Sequence, residues 1–380
     1  MKIRRFFRKY ILPLILSLVL TSCFSDFEPD IESKPVLCMI SNISDGDSIK
    51  VSLTHTWRWS EGSNLKSWTG WGGEIEEYES EFLVKNAQVR LYVNDEYIET
   101  LKLGKGIVGV GTNKYGGVYY PSEDYPWTTT GYVYYIAEYI PKCGDNIRLE
   151  AESDEYGSAW AEVTVPQTVE IDSVDYTISN FEDRNSTLSE FYIFDMNLSM
   201  WFSDPGNETN YYMFDTSSSG YFKGEDDQGI EYKESVTFRD ETDDPLFTEH
   251  VSAIDHVLAE TSGYSFFSDR QISGKSYPLH VRLEGVSYQI DNRLATPDME
   301  NSYISLILYS ISPSYYRHVI SVWAANDGIV GSLGDVGLAE PVFAASNVST
   351  GAGVVSASTK YEYKLYMRQL IESIEKESQQ

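Results

Sequence analysis

The chain is poor in cysteine and histidine. Its 380 residues include only 3 cysteines and 5 histidines. A disulfide scaffold needs many cysteines, and structural zinc sites need closely spaced cysteine and histidine ligands. The sequence offers neither, and no His-Glu-x-x-His motif occurs in it. We therefore expect no metal site and no cofactor.

Basic residues are also scarce. The sequence has 29 lysine and arginine residues against 58 aspartate and glutamate residues, a formal net charge of -29. Such an excess of negative charge repels nucleic-acid phosphates, which excludes a DNA- or RNA-binding role. The acidic segments at residues 225–227 and 240–244 lack the alternating spacing of calcium-binding loops, so we expect them to be solvated.

The sequence contains no recognisable catalytic motif. It lacks the Gly-x-Ser-x-Gly elbow of hydrolases, and its histidines stand in no recognisable pattern with serine and aspartate. Carboxylate pairs are too numerous in so acidic a chain to single out a glycosidase pair. We predict a protein that is not an enzyme, with an unrecognised hydrolase as an alternative.

One clearly apolar run stands out, and it lies at the N-terminus. Residues 11–20 are almost wholly apolar and follow five basic residues and no acid. The run is too short to cross about 30 Å of hydrocarbon, whereas a basic start and a short apolar stretch are typical of a secretory signal. The small residues Thr21 and Ser22 then precede Cys23. This pattern predicts a lipoprotein signal peptide over residues 1–22 and lipid attachment at Cys23, with an ordinary secreted protein as the alternative.

Acidic residues follow the predicted lipid site. Residues 23–34 include Asp26, Glu28 and Asp30 and are predicted to form an unstructured tether. Acids directly behind the lipid-bearing cysteine resemble the surface-export signal of Bacteroidota lipoproteins, while a simple solvated tether is the alternative. We expect a protein anchored by lipid in the outer membrane and facing the cell exterior.

Strand patterns dominate the rest of the chain. Short alternating segments separated by turns predict an immunoglobulin-like β-sandwich over residues 35–166. A second β-rich domain with one or two short helices is predicted over residues 167–360, because Pro166 ends the first series of strands. The fold class is therefore mainly β.

Helical patterns are confined to three places. Residues 312–325 have a serine cap and an apolar face, and residues 245–258 offer a shorter helix. Residues 361–380 are predicted to form a C-terminal helical tail, because apolar residues recur among charges between 364 and 376.

Two cysteines remain if Cys23 carries lipid. Cys38 lies in an apolar segment that predicts a core strand, and Cys143 lies beside a turn at residues 141–145. An oxidising compartment permits a disulfide between them. A core position and a turn position need not meet, so two free thiols are the alternative.

Four of the 8 tryptophans lie close together in a segment rich in glycine and serine. Exposed tryptophans on a loop can stack on sugar rings or anchor a protein partner. The alternative is that the rings fold back onto the sandwich. The candidate partner- or glycan-binding residues are Trp57, Trp59, Trp68 and Trp71.

Six short segments occur in a fixed order over most of the chain: residues 34–37, 84–89, 202–212, 267–275, 311–316 and 340–353. Together they resemble the Bacteroidota domain-of-unknown-function family 4249, apart from an insert-like aromatic segment at residues 57–82. The resemblance implies a lipoprotein often encoded beside TonB-dependent outer-membrane receptors, and it implies no known activity. We therefore expect an accessory or binding protein with such a receptor as partner. An independent glycan-binding or adhesin lipoprotein is the alternative.

Overall fold

A computed structural model gives the fold. It describes residues 34–56, 82–107, 111–112, 118–119, 131–186, 189–206, 208–219, 234–241, 244–248, 266–291, 302–326 and 343–378. The strands in these ranges are β1 (Leu37–Ser44), β2 (Lys50–His55), β3 (Gln88–Val93), β4 (Glu96–Thr100), β5 (Lys102–Ile107), β6 (Gly111–Thr112), β7 (Val118–Tyr119), β8 (Gly131–Ile136), β9 (Asn146–Ser153), β10 (Gly157–Thr164), β11 (Ile171–Asp183), β12 (Ser189–Ser203), β13 (Tyr211–Ser219), β14 (Glu234–Glu241), β15 (Phe266–Ser268), β16 (Ser276–Asp291), β17 (Tyr303–Ile311) and β18 (Gly353–Tyr366). The α-helices are α1 (Pro313–Asn326) and α2 (Met367–Ser378), and no helix within the described ranges is long and apolar enough to cross a membrane.

The strands form three main sheets. The largest has eight strands in the order β15-β13-β17-β18-β1-β2-β8-β5. Two four-stranded sheets have the orders β10-β9-β3-β4 and β11-β12-β16-β14, and β6 pairs with β7. The prediction of a mainly β protein is confirmed.

The first hydrophobic core lies between one half of the eight-stranded sheet and the sheet β10-β9-β3-β4. Alternate residues of β1 and β2 point into it, including Leu37, Met39 and Leu53. Leu91 on β3 and Leu149 on β9 face them from the opposite sheet. This is the period-two pattern that the sequence displays, because each strand buries one of its faces.

The second hydrophobic core lies between the other half of the eight-stranded sheet and the sheet β11-β12-β16-β14. It is rich in large side chains, among them Phe194, Phe202, Tyr212 and Phe267. Helix α2 covers the same core with Leu370 and its apolar neighbours. The amphipathic pattern of the C-terminal segment thus serves to close this core.

Strand β18 belongs to both cores. Val355 and Ala357 on its first half lie in the first core, and Leu365 on its second half lies in the second core. All three have odd numbers, so they lie on one face of the strand. Residues on both sides of the predicted boundary at 167 therefore share one sheet. The division into domains 35–166 and 167–360 stays a prediction.

A two-residue turn joins β3 and β4 into a hairpin. Asn94 and Asp95 connect the strands with φ angles of 53° and 68°. Positive φ at both central residues is the geometry of a two-residue hairpin turn, and asparagine and aspartate tolerate it. Strands β4 and β5 follow each other directly but belong to different sheets. The chain leaves one sheet after Thr100 and joins another at Lys102.

Helix α1 begins where its cap predicts. The side-chain oxygen of Ser312 accepts a hydrogen bond from Tyr315 N at 3.3 Å, and Pro313 occupies the first turn. Helix α2 begins later than predicted. Strand β18 continues to Tyr366 because its residues pair with β17 as far as Tyr303, so the helix starts only at Met367.

Candidate functional site

Most of the predicted site residues lie outside the described part of the chain. This holds for Cys23 and for the tryptophan segment with Trp57, Trp59, Trp68 and Trp71. The lipid-attachment site and the tryptophan site therefore stay predictions.

Cys38 and Cys143 are described, and both are free cysteines. Cys38 lies near the start of β1, and burial raises the pKa of its thiol. Cys143 Sγ lies 3.6 Å from Asp45 Oδ2, just beyond the other end of β1. Seven residues of strand correspond to roughly 20 Å, whereas a disulfide needs Cα atoms within about 7 Å. The fold keeps the two thiols apart, so the predicted bridge is not formed.

Three of the family-like sequence segments converge in space. The ring of Tyr212 lies 5.2 Å from the ring of Phe267, which joins residues 202–212 to residues 267–275. Tyr211 lies 4.6 Å from Tyr316, which joins the same strand to residues 311–316. We call the place where the first two segments meet the Asp204 junction and define it by Asp204, Gly206, Tyr212, Asp269 and Gly274.

Asp204 is the centre of the junction, and its carboxylate is buried. Its Oδ2 accepts hydrogen bonds from Gly206 N at 3.0 Å and from Gly274 N at 2.9 Å. Its Oδ1 accepts bonds from Tyr212 Oη at 2.5 Å and from Asn210 Nδ2 at 3.3 Å. Four donors compensate the loss of water around this charge. Burial and the neighbouring Asp204 charge raise the pKa of Tyr212.

Two glycines allow the junction to close. Gly206 has a φ of +67°, and a Cβ at this position would lie 2.5 Å from the Cα of Gly274. No side chain fits at that distance. The Asp-Pro-Gly turn and the Gly-Lys turn therefore approach each other backbone to backbone, with Asp204 bonded to both glycine amides.

Asp269 is a second buried carboxyl in the junction, with an exposure of 2%. Its backbone amide donates to Asn210 O at 3.0 Å, and its Oδ2 has no hydrogen-bond partner among the described residues. Burial, followed by the charge of Asp204, raises the pKa of this carboxyl. The fold therefore disfavours the charged form of Asp269, which lies in the junction beside the charge of Asp204.

Asp244 forms a related arrangement nearby and departs from its prediction. The segment 240–244 was expected to be solvated, yet Asp244 is 1% exposed. It accepts hydrogen bonds from Leu246 N, Tyr277 Oη and His280 N, each at 3.0 Å. Burial and the bond to Asp244 raise the pKa of Tyr277 to about 12. The aspartate ties a short 3-10 helix, Pro245–Thr248, to strand β16.

These buried aspartates are suited to holding chain segments together. Every acceptor position of Asp204 faces a donor of the protein itself.

A serine and a histidine meet at the surface, with Ser199 Oγ 3.2 Å from His280 Nδ1. Asp175 pairs with Ser199 on the side away from His280. It therefore does not orient the imidazole in the way that a catalytic triad requires.

No group of three or more potential metal ligands occurs among the residues that the structure describes.

The sequence offered one signal for the Asp204 junction, namely the turn-forming residues at 204–207 and the glycine at 274. Which carboxylate would be buried could not be inferred, because that depends on the meeting of two segments about 65 residues apart in the sequence.

The fold and its sites define a mainly β protein with two cores that share one sheet, and buried aspartates join chain segments around the second core. The model of a family described as a domain of unknown function (DUF4249) matches residues 25–364, and the chain belongs to this family. No curated protein and no solved structure shows significant similarity to it.

Proposed function

We propose that this chain is a lipid-anchored lipoprotein on the outer face of the outer membrane, where it acts as a non-catalytic accessory of a TonB-dependent transporter. The single observation that carries the proposal is the N-terminal pattern of a basic start, a short apolar run and Cys23 after two small residues. The family resemblance implies the association with TonB-dependent receptors.

The start of the fold is compatible with such an anchor. Strand β1 begins at Leu37, 14 residues beyond Cys23. A fully extended segment of that length spans at most about 50 Å. It is long enough to lift the folded part clear of the lipid head groups and short enough to keep it beside a membrane-embedded receptor.

Strand β1, which follows the predicted tether, is paired with a strand on each side. Strand β1 pairs with β18 on one side and with β2 on the other. A lipid on Cys23 buries several acyl chains at about 0.8 kcal/mol per methylene group, so anchoring would be effectively permanent. Both ends of the tether are then fixed, which suits a protein that works by holding a partner at the surface.

The anchor is tested with Cys23→Ala and a matched control, Cys38→Ser. We expect wild type and the control to incorporate alkyne-labelled palmitate and to fractionate with the outer membrane, because Cys38 lies within the folded sheet. The Cys23 variant should lose both properties. Palmitate incorporation that persists without Cys23 would disprove the anchor.

The location and the partner need separate tests. Protease added to intact cells should digest the wild-type protein, and replacing Asp26, Glu28 and Asp30 with alanine should protect it while lipid labelling persists. Affinity purification from detergent-solubilised outer membranes should recover a TonB-dependent receptor in stoichiometric amount. Lipidated protein that reaches the surface without such a receptor would exclude the transporter role and leave the anchor intact.

The alternative is an independent glycan-binding or adhesin lipoprotein that uses Trp57, Trp59, Trp68 and Trp71. Replacing these four residues with alanine should then abolish retention of the glycan or partner on cells. Unchanged retention with intact folding would exclude this role for the tryptophan segment. Activity on a panel of glycans and peptides would instead favour an unrecognised hydrolase.

A further inference from the structure

The outer face of the sheet β10-β9-β3-β4 carries a continuous row of rings and one guanidinium. Each of its four strands contributes one residue. The row consists of Trp160 on β10, Arg148 on β9, Tyr92 on β3 and Tyr97 on β4. We call these four residues the aromatic row.

The members of the aromatic row touch one another. Arg148 Cζ lies 5.2 Å from the centre of the Trp160 ring and 5.9 Å from the centre of the Tyr92 ring. The rings of Tyr92 and Tyr97 lie 5.7 Å apart in an edge-to-face arrangement. Arg148 pairs directly with Tyr92 and Tyr92 with Tyr97 in the register of the sheet. Neighbouring strands are about 4.8 Å apart, so the row extends for about 14 Å or more.

The two ends of the row are open to solvent. Trp160 is 48% exposed and Tyr97 is 55% exposed. Single exposed apolar residues are common, but a contiguous aromatic surface on a sheet face is typical of a binding site. The inner face of the same strands is filled by Leu91, Leu149 and their aliphatic neighbours, so the rings outside are not needed for the core.

The row is held in a fixed shape. Strand β10 would be the edge of the sheet, but Trp160 N donates to Ser349 Oγ at 2.9 Å and Ser349 N donates to Trp160 O at 2.8 Å. Both backbone groups of Trp160 thus bond to Ser349, and strand β10 pairs with β9 along its other side. A rigid ring loses little conformational freedom when a ligand stacks on it.

The charges beside the row do not suit an anionic ligand. Arg148 is paired with Glu150, and Arg90 Nη2 lies 2.9 Å from Glu152 Oε2. Asn146 Nδ2 donates to Glu162 Oε1 at 2.8 Å. The two cations on this face are therefore already neutralised, and the chain as a whole carries a net charge of -29. Phosphate, sulfate and acidic lipid head groups would be repelled.

The row is also too narrow for the core of a protein interface. It is one ring wide, and charged residues flank it on neighbouring positions of the same strands, among them Arg90, Glu150 and Glu162. A stable protein interface buries about 800 Å² on each partner and excludes charge from its centre. Covering this face with protein would desolvate the flanking charges.

A neutral sugar chain matches all of these features. Its rings present C–H groups that pack on the negative faces of aromatic rings. Its hydroxyl groups can bond to the flanking carboxylate, amide and guanidinium groups while these stay in contact with water. We propose that the aromatic row is a binding site for a neutral oligosaccharide or polysaccharide chain that lies across the strands from Trp160 to Tyr97. The four residues of the row are different from the candidate tryptophans at 57, 59, 68 and 71, and the inference does not depend on a transporter partner.

The test uses the full chain in affinity gels that contain soluble neutral polysaccharides: a β-glucan, an α-glucan, an α-mannan and a galactomannan. Migration of the wild type should be retarded in at least one gel. Trp160→Ala and Tyr97→Ala should each weaken that binding by about tenfold or more, the effect expected when an anchoring aromatic side chain is removed. Trp160→Phe and Tyr97→Phe keep a ring and should retain most of the binding.

The matched control is Ile40→Ala. Ile40 is 49% exposed, as much as Trp160, but it lies on β1 in the other sheet. This variant should bind like the wild type. Circular dichroism and thermal unfolding should show that all five variants are folded.

Five outcomes would overturn the proposal. The first is that no neutral gel retards the wild type, and the second is that only an anionic polysaccharide retards it. The third is binding that persists in both alanine variants. The fourth is self-association of the wild type that is lost in Trp160→Ala, since the row would then be an interface between two copies. Neutral-glycan binding that instead requires Trp57 and Trp59 would place the site in the tryptophan segment.

Discussion

Replacing Gly353 with alanine should strongly destabilise the fold, because this glycine lies where the last strand joins the first. Gly353 pairs with Met39 at the start of the parallel β1–β18 contact. Its φ is +91°, and a Cβ there would lie 2.1 Å from Met39 O. An ordinary carbon–oxygen contact is about 3.3 Å, so the strands would have to separate by about 1 Å.

The magnitude follows from two contributions. A side chain at positive φ costs about 1–2 kcal/mol. The separation would also strain the hydrogen bond from Met39 N to Ala352 O, which is 3.2 Å long, and an unsatisfied buried backbone group costs about 1–3 kcal/mol. We expect Gly353→Ala to lower the free energy of unfolding by about 2–5 kcal/mol, a large part of the stability of an ordinary protein.

Gly351 provides a matched control two residues away. Its φ is +78°, and nothing lies within 4 Å of the position that a Cβ would occupy. Gly351→Ala should therefore lower the free energy of unfolding only by the backbone contribution, about 1–2 kcal/mol. The two variants separate steric contact from backbone conformation.

The assay is guanidinium unfolding of the detergent-solubilised protein, followed by tryptophan fluorescence and by far-ultraviolet circular dichroism. Since β18 contributes to both cores, both signals should shift together in Gly353→Ala. Equal destabilisation by the two glycine variants, within about 0.5 kcal/mol, would refute the steric argument. A shift confined to one part of the transition would refute the coupling of the two cores through β18.

Two further predictions concern the Asp204 junction. Tyr212→Phe should lower the free energy of unfolding by about 1.5–3 kcal/mol, because it removes a hydrogen bond to a buried carboxylate. The control Tyr211→Phe should change the free energy of unfolding by less than about 0.5 kcal/mol. Equal effects of the two variants in denaturant unfolding would contradict the hydrogen bond assigned to Tyr212. Asp269→Asn should raise the melting temperature at pH 7. Burial and the Asp204 charge raise the pKa of Asp269 in the folded chain, so the fold favours the protonated form of this carboxyl. The melting temperature of Asp269→Asn should therefore exceed that of the wild type only as pH rises above about 4, the ordinary pKa of aspartate. A pH-independent difference between pH 3 and 7 would contradict this assignment.

Local patterns in the sequence predicted the mainly β fold class and the serine cap of α1. Strand β17 and the first half of β18 lack the alternating pattern of a half-buried strand. Strand β17 is buried on both faces, so it shows a continuous apolar run instead of alternation. Strand β18 begins with small and polar residues that are buried only because β1 and β17 enclose them.

Candidate sites were harder to predict than strands. The junction residues could be read as turns, but the burial of Asp204 depends on donors from Gly274, which lies 70 positions away. The aromatic row was equally hidden. Its residues come from four strands, and a single strand displays no more than one of them among charged neighbours.

The sequence by itself determined the class of fold, and it also predicts the membrane anchor and the lack of nucleic-acid binding. Each of these depends on local composition or on the period of apolar residues, and such patterns act within a few residues of one another. The tertiary structure alone decided that the first and last strands pair, that two aspartates are buried among backbone donors, and that four separated residues form one exposed row. These features arise from contacts between segments far apart in the chain, where register and sheet order bring side chains together and local preference has no influence.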